Sequence, residues 1–148
     1  MRGFTLIELV MVLGIMGILS VAAVVSMQTP SSAHLGAAAA QVKSDVEYAK
    51  QNAVMTGQTS GVNFTANGSY TVYQGTTATP LKSPMSQQNI ITTLSTTYPN
   101  ITISTNYVVE FNGFGAPTTG GGGSVQITNG SATKTISVTA NTGLVTVQ

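Results

Sequence analysis

The sequence predicts an α+β chain: a long N-terminal helix, membrane-spanning in its first half, packed on an antiparallel β-sheet domain. Three observations lead there. Residues 4–27 are almost wholly apolar, and residues 35–53 carry an apolar stripe at helical spacing. From Ser60 onward, short runs of alternating apolar and polar residues are separated by turn residues. The expected divisions are a membrane or filament-core helix at 4–28, an amphipathic helix at 29–57 and a β domain at 58–148.

The first segment carries the most information. Between Phe4 and Met27 the side chains are apolar apart from Thr5, Glu8, Ser20 and Ser26, with glycines at 14 and 17. Two dozen helical residues reach about 36 Å, enough to cross a hydrocarbon core of about 30 Å with some tilt. Arg2 is the sole charge before the run, and the positive-inside tendency keeps that end cytoplasmic and sends the C-terminal domain outward. A secretory signal peptide cut near SVAAVVS, or a plain anchor, also fits this pattern. Neither explains Glu8, a carboxylate that costs about 2.5–3.5 kcal/mol at mid-membrane. Gly14 and Gly17 allow close helix approach and weaken the helix by about 1 kcal/mol each. Ordinary membrane-helix glycines are the plain alternative.

The second helix is expected to open at Thr29-Pro30, as an N-cap and first-turn proline or as a kink in one long helix. Leu35, Ala39, Val42, Val46, Ala49 and Ala53 form its stripe, narrow and Ala-rich, suited to close packing on a sheet. Lys43 and Glu47, four apart, read as a solvated surface pair. Thr56-Gly57 is the expected stop. Strands are expected around Val62 and Phe64, and around Tyr70 and Val72 after an Asn67-Gly68 turn. Residues 75–100 read as a long connection with a short element near Ile90–Leu94. Ile101–Thr105, Tyr107–Phe111, Val125–Thr128, Thr133–Val138 and Leu144–Val147 read as further strands. Gly120–Gly123 reads as a flexible loop.

Composition limits the functions open to such a chain. Only 6% of the 148 residues are charged, against about 25% in an average soluble domain. The net charge of +1 gives no reason to expect nucleic acid or an anionic surface as a partner. There is no cysteine, so disulfides and thiolate chemistry are excluded. His34 is the only histidine, and there is no second His or Cys with which to complete a metal site. Asp45 and Glu47 fall on different helix faces, and Glu110 has no acidic partner in its strand. GGGG at 120–123 lacks the Lys-Ser/Thr ending of a phosphate loop. No catalytic residue, metal or cofactor is expected.

RGFTLIELV, followed by an uninterrupted apolar helix, resembles the class III signal of type IV pilins and type II secretion pseudopilins. The resemblance implies that residues 1–3 are a leader, cut between Gly3 and Phe4 by a prepilin peptidase that also methylates the Phe4 amine. Glu8 then becomes the family's acidic fifth residue, paired with a neighbouring subunit's N-terminus as an assembly registry device. Gly14 and Gly17 serve helix packing. The family's helix-kinking Pro has no match at its usual place, where Val25 stands. AAAAQVKSDVEYAKQNAVMTGQ and SVQITNGSATKTISVTANTGLVTVQ are similar to the H-type minor pseudopilins and FimT-type minor pilins, whose globular part is a β-sandwich resting on the helix. The basic C-terminal cluster with which DNA-uptake members bind DNA is missing here.

The favoured expectation is therefore a structural subunit of a type II secretion pseudopilus or type IV pilus, not an enzyme. It would sit in the inner membrane as a single-pass protein before joining a periplasmic pseudopilus or surface pilus. Its implied partners are a prepilin peptidase, other pilins or pseudopilins, an assembly ATPase and an inner-membrane platform protein. A pilin with an adhesion or DNA-uptake role, and an unrelated anchored or secreted β domain, are the alternatives.

Overall fold

The computed structural model describes residues 5–26 and 30–148, with side chains at 5–18 and 31–148. The chain divides after Pro30 into two compact units. Helix α1, Leu6–Ser26, belongs to the first. Its opening turn is set by the Thr5 carbonyl, which accepts the Glu8 and Leu9 amides at 3.1 and 3.3 Å. Among the described residues no helix is long and apolar enough to cross a membrane. The expected span, 4–28, extends beyond the described side chains at both ends.

The second unit is built on helix α2, Pro30–Thr56. Proline at the first helical position is pre-set for the helix and has no amide to leave unpaired there. The helix stops where expected. Gly57 takes a positive φ of 69°, and its amide bonds the Ala53 carbonyl at 2.9 Å, the left-handed cap that satisfies an orphan carbonyl.

Nine strands and one helical turn follow. They are β1 (Ser60–Phe64), β2 (Ser69–Gln74), β3 (Ile91–Thr93), α3 (Leu94–Thr97), β4 (Thr102–Ile103), β5 (Tyr107–Phe111), β6 (Pro117–Thr119), β7 (Ser124–Thr128), β8 (Thr133–Val138) and β9 (Val145–Val147). One sheet has the order β3-β2-β1-β5-β6 and the other β4-β7-β8-β9, with every pairing antiparallel. The architecture is thus α+β, a long helix packed on antiparallel sheets.

All six expected stripe residues of α2 are buried, together with Ala38. They share one apolar core with Val62, Phe64 and Phe111 of the first sheet and Ile127, Ile136 and Val138 of the second. Alanines at the contact keep the helix backbone close to the strands. The strand expected at Ile101–Thr105 shortens to β4. Beyond it, the Thr105 hydroxyl accepts the Gln126 amide at 3.1 Å, a bond the backbone ladder would otherwise supply. Strand β6 carries no alternating apolar pattern. It is an edge strand with proline in first place, where a missing amide costs least.

The glycine run is the clearest departure from expectation, being a tightly packed turn. Gly120 has a φ of 73°, and a Cβ there would lie 2.1 Å from the Val108 carbonyl oxygen. A Cβ on Gly123 would lie 2.7 Å from the Tyr107 ring. The Tyr107 hydroxyl donates to the Gly120 carbonyl at 2.7 Å, and the Gly122 amide to Val138 at 2.8 Å. These glycines are needed for close approach rather than flexibility.

Candidate functional site

Two regions carry chemistry that the core does not absorb. The first is α1. Every described side chain from Thr5 to Ile18 is exposed, Leu6 by 81% and Ile18 by 74%. A contiguous apolar surface of this kind marks a contact with protein or membrane rather than with water. Glu8 lies in its first turn, where the helix dipole favours an anion. It makes no ion pair among the described residues; the pair found there is Lys43–Glu47 at 3.7 Å, the surface pair that the spacing predicts. At Gly14 and at Gly17 a Cβ would meet nothing within 4 Å. No neighbour among the described residues therefore requires a glycine at either place. The expected cleavage and methylation residues, Gly3 and Phe4, lie outside the described residues.

The second region is a polar seam between α2 and the strands. The Tyr70 hydroxyl donates to Asp45 Oδ2 at 2.5 Å, and the Tyr98 hydroxyl to Gln41 Oε1 at 2.9 Å. Asn52 donates to the buried Ser60 hydroxyl at 2.8 Å. Burial pushes the Asp45 carboxyl above its ordinary range, although hydrogen bonds from Tyr70 and Gln41 act the other way. Burial, then the Asp45 charge, raises Tyr70 as well. Glu110 is held by the Tyr73 hydroxyl at 2.8 Å and the Thr119 hydroxyl at 2.9 Å. Sequence reading gave Asp45 and Glu110 no partners, because tyrosines 25 and 37 residues away supply them. Burial likewise pushes Tyr107 up to about 12.

A cleft of about 420 Å³ opens beside Asp45, between α2 and the segment joining β2 to β3. Elsewhere the cations are dispersed. Lys50 reaches the Thr142 and Gly143 carbonyls at 2.8 and 3.1 Å, tying α2 to the turn before β9. His34 stands edge-on to Tyr98, with ring centroids 6.5 Å apart. Among the described residues no three His, Cys, Asp or Glu side chains converge.

Comparison with known proteins adds two findings. The model of the type II transport protein GspH matches residues 38–143, and that of the prokaryotic N-terminal methylation motif matches residues 1–24. No curated protein and no solved structure matches the chain.

Proposed function

The chain belongs to the GspH family of type II transport proteins and carries the N-terminal methylation motif, and on that premise we propose that it is a minor pseudopilin built into a filament through its N-terminal helix. GspH pseudopilins are structural proteins rather than enzymes. Prepilin peptidase cuts between Gly3 and Phe4 and methylates the Phe4 amine. The mature chain stays in the inner membrane, its β domain outside, until an assembly ATPase and platform protein draw it into the periplasmic pseudopilus. Residues 135–148 carry no Arg or Lys to neutralise phosphates, which weighs against a nucleic-acid partner.

Glu8 sets the register. Cleavage leaves a cationic amine on Phe4, and in a stack of helices the amine of one subunit meets Glu8 of another in an apolar interior. At about 4 Å and an effective dielectric of 20, the attraction is roughly 4 kcal/mol. That is comparable to the roughly 3 kcal/mol cost of placing the carboxylate in the membrane. A subunit docked in the wrong stagger leaves a buried charge unpaired, which is the costlier state. Gly14 and Gly17 then let adjoining helices approach.

The observation carrying this reading is the exposed apolar surface from Leu6 to Ile18 of α1 around a single carboxylate, next to a matched methylation motif. Mass spectrometry of the mature N-terminus tests the processing step: methylated Phe4 is expected, and a retained Met1 or a start near Ala23 overturns it. Incorporation tests the register: Glu8→Leu should be processed normally yet enter filaments at least about tenfold less well, the equivalent of 1.4 kcal/mol.

A further inference from the structure

We propose that the cleft between α2 and the segment joining β2 to β3 is a socket for one cationic side chain, ammonium or guanidinium, presented by a neighbouring subunit and held by the Asp45 carboxylate. The identity of the donor rests on the filament reading above; the chemistry of the socket does not.

The charges point to Asp45. Within residues 31–148 the acids are Asp45, Glu47 and Glu110. Glu47 has Lys43, and Glu110 has the Tyr73 and Thr119 hydroxyls. Asp45 has neutral partners, Tyr70 and Gln41, and no cation among the described residues. Lys82 is near in the cleft wall, where its carbonyl accepts the Tyr48 hydroxyl at 3.1 Å, but its ammonium forms no ion pair among the described residues. A carboxylate withdrawn from water without a counter-charge is held at a cost that an arriving cation offsets. The raised proton affinity of Asp45 reports the same imbalance.

The walls suit a long basic side chain. Tyr48, Met85 and Ile90 line the cleft and offer apolar surface to a methylene stem. The Tyr48 ring also offers a face to the cationic head. Ser44 adds a hydroxyl acceptor, which an ammonium or guanidinium, having donors only, can use, while the Ser83 hydroxyl opposite already accepts the Met85 and Ser86 amides at 3.3 and 3.4 Å. An anion would find a carboxylate and no opposing charge. A wholly apolar ligand would strand Asp45. The outer wall is already built: Ser83 and Gln88 bond at 2.8 Å, Gln87 and Ser83 at 2.9 Å, and Lys82 bridges Asn89. A preformed wall lowers the ordering cost of binding.

The test uses the full-length protein in detergent micelles, titrated with propylguanidinium and with propylurea, its neutral counterpart. Amide NMR shifts over residues 83–92 report occupancy. Propylguanidinium should bind at least about tenfold more tightly than propylurea, and Asp45→Asn should reduce it to the propylurea level. Lys82→Gln should leave the preference intact. Equal binding of the two probes, no saturable shift, or an Asp45→Asn variant that keeps the preference overturns the socket. These measurements need no assembly, so they stand or fall apart from the filament reading. For the donor, a photo-reactive benzoylphenylalanine at Met85, which is 96% exposed, is activated in membranes holding the assembled system. The expected adduct maps to a Lys- or Arg-bearing segment of another pseudopilin and falls several-fold with Asp45→Asn. An adduct indifferent to that substitution, or none, overturns the neighbouring-subunit source.

Discussion

Asp45 sits on a half-buried helix face with a tyrosine hydroxyl 2.5 Å from one carboxyl oxygen, and its acid form is the one that burial favours. The sign of the consequence is fixed. A group whose folded-state pKa is raised contributes stability that is present below its unfolded value, 3.8, and lost as pH rises through the folded value. Asn at this position keeps an acceptor for Tyr70 and carries no charge at any pH. The melting temperature of Asp45→Asn relative to the native protein should therefore move in the variant's favour between pH 3 and pH 7. A difference that is flat with pH, or that moves the other way, would show that burial does not control this carboxyl. Glu8 is the contrasting acid. It lies exposed among apolar side chains within its own chain, so its effect is expected on assembly rather than on the fold.

At the scale of an element, the two faces of α2 differ in burial. Ala49 is fully buried in the core, whereas Ala40 is exposed. Both changes to Leu raise apolar content, but only one has room. Ala49→Leu should destabilise the protein by about 2 kcal/mol through overpacking, and Ala40→Leu by less than about 0.5 kcal/mol, as read from urea unfolding. The turn between β6 and β7 makes the same point with backbone. Gly120→Ala places a methyl against the Val108 carbonyl at a positive φ, and should cost about 2 kcal/mol or more. The α2 stripe and stop were legible in sequence because they repeat every three or four residues. The β6 edge and the packing of the glycine turn were not, because neither has a local period, and four glycines in a row read the same whether loose or packed.

For the whole molecule, division after Pro30 leaves every buried core residue among the described residues in the second unit. A chain begun at Ser31 should therefore unfold cooperatively, and at a temperature within a few degrees of the full-length protein, because the described side chains of α1, up to Ile18, are all exposed. Loss of cooperativity in the shortened chain would mean that the first unit supports the second. Seen from sequence, secretion and pilus machineries were both open. The family match over residues 38–143 is to the type II transport protein GspH. The methylation motif, matched over residues 1–24, was readable from RGFTLIELV alone.

The sequence by itself determined the two helices, the hairpins and the processing motif, since each is written in neighbouring residues or in a short repeat. Only the tertiary structure decided which strands pair in the orders β3-β2-β1-β5-β6 and β4-β7-β8-β9, that Lys50 reaches a carbonyl 93 residues away, and that Asp45 stands without a counter-charge beside a cleft. The physical reason is that burial and pairing depend on which distant groups are brought within a few ångströms, and local patterns fix a residue's face without fixing what meets it.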